Sequence, residues 1–223
     1  MIRMRKFASL AVGLFSLSTV LLGSGCGSSS MHARLMNASF GNPSLDMLVD
    51  SKVLASAVGY GTASGYVSVS SGSRNLQINL AGSATSLITQ NATFGSGTNS
   101  TVLATTSGAS VFTDNKTALS SGSIAIRVIN ASSTLGTADV YIVPSGTVIS
   151  NVSPTISGLN YQSASSYQTL AAGSYQVIFT FTGQNSAVIN SNPISFSSGQ
   201  VRTVVGLDDP AGGFTTAVLS DLN

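Results

Sequence analysis

The residues of this chain best suited to chemistry occur twice. Asn37 and Asp46 bracket an eight-residue connection, and Asn130 and Asp139 bracket another of the same length. Amide and carboxylate oxygens at such a spacing serve one of two purposes. They accept bonds from nearby backbone N–H groups and fix a turn, or they supply oxygens to Ca²⁺. Calcium takes about six to eight oxygens, and one carboxylate per turn falls short. The four residues are therefore read as structural turn residues, with no metal and no cofactor expected. Asp208-Asp209 is a second, weaker calcium candidate. The first half has Thr106-Ser107 at that place.

The rest of the inventory is poor in catalysts. His32 is the only histidine and falls just before the first expected strand, which leaves little basis for a Ser-His-Asp triad or a His-based metal centre. The chain has no Glu, so paired-carboxylate glycosidase chemistry would need two Asp residues, and no pair is suitably spaced. The stretch GYGTASG (59–65) has the wrong spacing for a phosphate-binding loop and no helix after it. Tyr60/Tyr66 and Tyr161/Tyr167 recur as pairs. Tyrosines of this kind pack half-buried with the hydroxyl at a rim; their other use is a platform on which sugars stack.

Composition narrows the partners. Only 7% of residues are charged, against roughly 25% in an average globular protein, while 43% are hydrophobic, enough for a packed core. The formal charge of +2 depends on Arg3, Arg5 and Lys6. Beyond them six basic residues face seven Asp, so the body carries no basic stripe and nucleic-acid binding lacks electrostatic support.

The elements that must position these residues follow from an internal repeat. RLMNASFGNPSLD (34–46) returns as RVINASSTLGTAD (127–139), with Arg34, Asn37, Ala38, Ser39 and Asp46 matched by Arg127, Asn130, Ala131, Ser132 and Asp139. Tyr60, Tyr66 and Gly72 match Tyr161, Tyr167 and Gly173, and Thr101-Val102 match Thr203-Val204. Self-similarity at a fixed period marks a duplicated unit. Each unit holds short alternating or apolar runs separated by Gly, Asn, Ser and Pro, with almost no helical period. This predicts an all-β fold: two tandem immunoglobulin-like, Greek-key β-sandwich domains after an N-terminal signal segment. Strands are expected at 33–37, 45–49, 52–55, 65–70, 75–81, 85–94, 98–105 and 110–113. In the second unit they are expected at 124–130, 138–143, 147–150, 167–170, 173–182, 194–197, 200–207 and 214–220. The expected domains are 33–113 and 124–223, joined by a linker at 114–123. Side-chain alternation sets Arg127 opposite Ile126 and Val128.

Residues 1–25 have a basic start, an apolar run at 7–22 and a small-residue end, the three parts of a secretory signal. LLGSGC (21–26) resembles a bacterial lipobox, with Gly23 where Leu is usual. The resemblance implies acylation of Cys26, the chain's sole cysteine, followed by a flexible tether at 26–32. Lipid attachment through Cys26 implies a cell-envelope location, at the outer membrane or cell surface rather than at the cytoplasmic membrane.

Both copies of the Asn-Ala-Ser motif end an apolar strand and precede an Asp inside a second apolar strand. In this the chain resembles the bacterial domain-of-unknown-function 4397 family, in two copies. In that family the second strand is often followed by Asp-Gly, whereas this chain has Asp50-Ser51 in one copy and Val143-Pro144-Ser145-Gly146 in the other. The resemblance implies envelope-attached β-sandwich domains and no established activity. The expected function is a lipid-anchored, non-catalytic binding or spacer module with a protein or polysaccharide partner. The alternative is an envelope-polymer hydrolase using loop Ser and Asp residues. Specific function is expected where the copies differ: Lys52 against Gly146, Arg74 against Tyr175, and Asp208-Asp209 against Thr106-Ser107.

Overall fold

The structure is a computed structural model that describes residues 31–222. Cys26, the signal segment and most of the tether lie outside the described residues. The first unit contains β1 (Met31–Asn37), β2 (Ser44–Val49), β3 (Lys52–Gly59), β4 (Val67–Val69), β5 (Gly72–Leu80), β6 (Ser86–Phe94), β7 (Asn99–Thr105) and β8 (Gly108–Asp114). They form two four-stranded sheets, ordered β4-β1-β7-β8 and β3-β2-β5-β6. The chain crosses between sheets at β1–β2, β3–β4, β4–β5 and β6–β7, the interleaving of a Greek-key sandwich. Leu35, Met47, Ile78, Phe94 and Val102 fill the space between the sheets.

The second unit repeats the plan. Its strands are β9 (Ser123–Asn130), β10 (Ala138–Pro144), β11 (Ile156–Leu159), β12 (Ser163–Ala164), β13 (Gln168–Ala171), β14 (Gly173–Phe181), β15 (Ile189–Asn190), β16 (Ile194–Phe196), β17 (Val201–Asp208) and β18 (Phe214–Leu222). One sheet runs β12-β9-β17-β18 with β13 also on β9, the other β11-β10-β14-β15 with β16 also on β14. The counterparts of β4 and β6 are thus each split in two. Val128, Val140, Phe179 and Val204 are central to this core.

β1 pairs in parallel with β7, setting Arg34 beside Thr101; β9 pairs in parallel with β17, setting Arg127 beside Thr203. The strand reading predicted neither parallel pair. The Asn-to-Asp connection is not a hairpin but a crossover between sheets. β1 and β2 lie in opposite sheets, so Asn37 and Asp46 end up on different layers. The first strand begins at Met31, so His32 belongs to β1, and β8 runs through Asp114.

One expected strand is absent. A turn at Ser145-Gly146 leads through Thr147-Val148 into a 3₁₀ turn at Ile149–Asn151, and β10 pairs instead with β11 and β14. In unit one, β2 and β3 are joined by a tight hairpin. In unit two the same connection is a long excursion from Ser145 to Thr155. It accounts for the drift of the repeat spacing, from 93 at Asp46/Asp139 to 101 at Tyr60/Tyr161. Ile149 and Val152 of this excursion cover Tyr141, Val143 and Ile178 on the outer face of the sheet.

The hairpin between β2 and β3 turns through Asp50 (φ 50°) and Ser51 (φ 65°). Two positive φ values mark a type I′ turn, which favours Gly at its second position. Ser51→Gly is expected to raise stability by about 1 kcal/mol, read as a higher urea midpoint at unchanged slope.

Candidate functional site: the seam between the units and its cleft

The Asn-Ala-Ser strands owe their recurrence to backbone chemistry. Asn37 and Asn130 are fully buried. The Asn37 amide donates to the carbonyls of Asn42 (3.2 Å) and Val58 (3.0 Å), and its oxygen accepts from Ser39 N–H (3.0 Å). Asn130 does the same with Gly136 (2.7 Å), Leu159 (3.0 Å) and Ser132 (3.2 Å). Each amide ties the crossover loop to the facing sheet.

Asp46 accepts from Ala57 N–H (2.7 Å) and Gly82 N–H (3.0 Å), and Asp139 accepts from Gly158 and Gly183 N–H, both at 2.8 Å. All four donors have positive φ. The carboxylates hold a bulge on one neighbouring strand and a turn after the other. Their oxygens are occupied by N–H donors, an arrangement that suits no cation. Among the described residues no group of three or more His, Cys or Asp is placed to hold a metal ion.

The repeated arginines do something the repeat alone did not reveal. Arg34 and Arg127 point away from their own cores, yet they are only 4% and 2% exposed. They lie where the sheet β4-β1-β7-β8 of unit one packs on the sheet β12-β9-β17-β18 of unit two. Met36 and Leu103 from one side meet Ile129, Val205, Leu207 and Leu219 from the other in a separate apolar cluster. The protein is therefore a four-layer stack, in which the inner sheets are covered on both faces.

Beside this cluster the units exchange charges. Arg34 donates through Nη2 to Asp221 of unit two, through Nη1 to the Ser220 carbonyl (2.7 Å) and through Nε to Thr101 (2.9 Å). Arg127 donates through Nη2 to Asp114 of unit one (2.5 Å), through Nη1 to the Thr113 carbonyl (2.9 Å) and through Nε to Thr203 (3.0 Å). Thr101 then donates to Asp114 (2.8 Å) and Thr203 to Asp221 (2.6 Å). Tyr66 donates to Asp114 and Tyr167 to Asp221, both at 2.7 Å. The two guanidinium groups lie over the Tyr66 and Tyr167 rings at 4.7 and 4.8 Å. Each of these contacts on one side has its counterpart on the other, as in a two-fold dimer interface. Asp114 and Asp221 had a sequence signal that was missed: VFTD (111–114) and VLSD (218–221) close the two units alike.

Burial raises the phenol pKa of Tyr66 and Tyr167 well above the usual value, with the adjacent carboxylates adding to it against the opposing pull of each stacked arginine. Tyr60 is pushed up to about 12, by burial first and by Asp208 and Asp209 next. An unfolded tyrosine loses its proton near pH 10, so above about pH 10 the folded chain retains protons that the unfolded chain has lost. Stability is then flat below about pH 10 and falls as pH rises toward the folded values. Melting curves across this range are expected to show that fall, and Tyr66→Phe is expected to make it shallower while lowering stability at neutral pH.

The symmetry breaks at one end of the seam. In unit one the β7–β8 hairpin closes tightly between Thr105 and Gly108, and the Thr105 hydroxyl accepts from the Gln162 amide. In unit two the equivalent hairpin carries Asp209-Pro210-Ala211-Gly212-Gly213. Asp208 is buried and accepts from Ser132 Oγ (2.5 Å) and from Ser133 N–H and Oγ (both 3.1 Å). Its carbonyl accepts from Tyr60 of unit one (2.6 Å). Next to it the longer hairpin and the Gly41–Pro43 loop enclose a cleft of about 690 Å³, with Tyr60, Asp209, Pro210 and Thr216 in its walls. Of the expected points of difference, Asp208-Asp209 is the one that builds this cleft. Arg74 instead pairs with Asp50 at 3.5 Å on the surface of unit one, and Lys52 is exposed.

Fold and seam together define a two-unit β-sandwich protein whose halves are locked face to face. The chain belongs to the family described as Domain of unknown function (DUF4397), whose model matches residues 31–141 and 143–223. No curated protein matches the sequence. Among solved structures, the C-terminal domain of AlgF from P. aeruginosa is 7% identical, covering 46% of this chain and 99% of that one at a TM-score of 0.29. The family CBM26 module CBMbc of Eubacterium rectale Amy13K, solved with maltoheptaose, is 12% identical, covering 85% and 96% at 0.26. Family 41 carbohydrate-binding modules from streptococcal virulence factors are 14% identical, covering 86% and 98% at 0.28. Likenesses of this size carry no argument about what the present chain binds.

Proposed function

We propose that the chain is a lipid-anchored cell-envelope protein whose two sandwiches act as one rigid, non-catalytic body presenting a ligand cleft. The observation that supports this best is the reciprocal exchange of buried arginines and aspartates. It joins the units without a flexible hinge and leaves the cleft, which needs residues of both units, with a fixed shape. A body of this kind serves to display or hold a partner away from the membrane. The Asp carboxylates of the turns and the seam are occupied by backbone donors, hydroxyls or arginines.

The anchor and the binding role are tested separately. Palmitate labelling in cells is expected for the wild type and absent from Cys26→Ser; equal labelling of both would refute the anchor. For the binding role, purified full chain is mixed with isolated envelope polymers. Cosedimentation is expected with the wild type and reduced in Asp209→Ala. Release of soluble polymer fragments by the wild type would favour the hydrolase alternative.

A further inference from the structure

Resting on that reading, we infer that the cleft between Tyr60 and Asp209 is a binding site for a neutral carbohydrate chain. Its walls combine two kinds of surface. Tyr60, Pro43, Pro210 and Leu207 give flat or rounded apolar faces, while Asp209, Asn42, Thr215 and Thr216 give neutral or acceptor hydrogen-bonding groups. A sugar presents that same combination, an apolar C–H face and a rim of hydroxyls.

The wall is built in advance of any ligand. The Tyr60 hydroxyl is held by the Asp208 carbonyl, and its ring makes a T-shaped contact with Phe40 at 6.2 Å between centroids. Phe40 is itself 45% exposed, which extends the aromatic surface outward. Asp209 is fixed by Ala211 N–H bonding one of its oxygens (2.8 Å) and by the bond from its own N–H to the Gly213 carbonyl (2.9 Å). Its other oxygen accepts no bond among the described residues and suits a pair of neighbouring hydroxyls. The Asn42 side chain donates to Ser39 (2.8 Å) and keeps its amide oxygen, Oδ1, for a ligand, its backbone carbonyl being taken by Asn37.

Charge argues against the other small ligands. No Lys, Arg or His lines the cleft, so a phosphate, nucleotide or uronate would meet Asp209 with nothing to balance it. A single carboxylate is too few for a divalent cation. The volume lies within the range of small-ligand sites. The pseudo-equivalent position is closed by Thr105 and Gln162, so among the described residues the added hairpin sets this cleft apart from its counterpart.

The test is calorimetric titration of the full chain with short neutral oligosaccharides of glucose, mannose, galactose and N-acetylglucosamine. A parallel titration uses acidic oligosaccharides and an unbiased peptide library. At least one neutral oligosaccharide is expected to bind, and Asp209→Ala and Phe40→Ala are each expected to weaken it about tenfold or more. Both variants should retain the wild-type melting transition. Peptide binding lost in the same variants would overturn the carbohydrate assignment and keep the cleft as the ligand site. Binding of acidic sugars alone would also overturn the assignment. No variant-sensitive binding of any probe would overturn the cleft itself.

Discussion

Asp221→Ala is expected to destabilise the protein by about 3–5 kcal/mol, a fall of roughly 10 °C or more in melting temperature. The carboxylate sits 5% exposed and meets three donors: Arg34, Thr203 and Tyr167. Removing it leaves two buried guanidinium groups against one carboxylate, and Arg34 has only Asp114, at 4.0 Å, as its remaining counter-charge. The loss measures an uncompensated charge, so it should shrink when the charge is removed too. Combining Arg34→Met, Asp221→Leu, Tyr167→Phe and Thr203→Val is expected to give a protein more stable than Asp221→Ala alone, because buried ionic clusters replaced as a whole by apolar groups cost little. Asp114→Ala should behave like Asp221→Ala, since its partners are the symmetry counterparts. Urea denaturation followed by circular dichroism reads all of these. Because the seam joins both cores, the wild type should unfold in one transition. Two separate transitions in the wild type, or an Asp221→Ala protein melting within about 2 °C of it, would contradict the seam's role.

The duplicated strands were legible because they follow period-two alternation with turn residues between them. Val140 and Ile142 face the core while Asp139 and Tyr141 do not, and Asn37 accepts from Ser39 N–H two residues on, whereas the donors to Asp46 are Ala57 on one neighbouring strand and Gly82 in the turn after the other. Three features were out of reach because each is decided by how sheets pack and not by the alternation within one strand. Alternation says that Arg34 and Arg127 point away from the core, and ordinarily that means water. Here the outward face of β1 meets the outward face of β9, and the carboxylates that neutralise the arginines belong to the other unit, 187 residues from Arg34 and 13 from Arg127. Parallel pairing of β1 with β7 depends on the path of the whole unit and leaves no mark in either strand. The 147–150 run reads as apolar and β-branched, but Pro144 and Gly146 turn the chain before it, and Ile149 is buried against the sheet's outer face instead of pairing within it. The cleft was partly visible. Asp208-Asp209 stood out as a place where the copies differ, but not that Tyr60 of the other unit would close it.

The duplication also carries its own control experiment on packing. Gly206 in β17 faces the core of unit two, and a methyl group added there would lie 2.7 Å from Phe179 Cζ, 2.9 Å from its Cε1 and 3.2 Å from Ile189 Cδ1. Phe179 is fully buried and cannot swing out. Gly206→Ala is therefore expected to cost about 1–3 kcal/mol as overpacking. Unit one has solved the same problem with the other combination. By strand register the counterparts of Gly206 and Phe179 are Ala104 and Ile78, both fully buried in its core. The larger residue on β7 accompanies the smaller one on β5, and the reverse holds in unit two. Phe179→Ile alone should also destabilise, by leaving a void that Gly206 cannot fill. The double variant Gly206→Ala/Phe179→Ile should recover much of both losses, giving a favourable coupling energy in a double-mutant cycle. Additive losses would show that the two positions do not share one space. The small-for-large exchange is a steric statement about a single contact, and it is readable here because one chain holds both solutions.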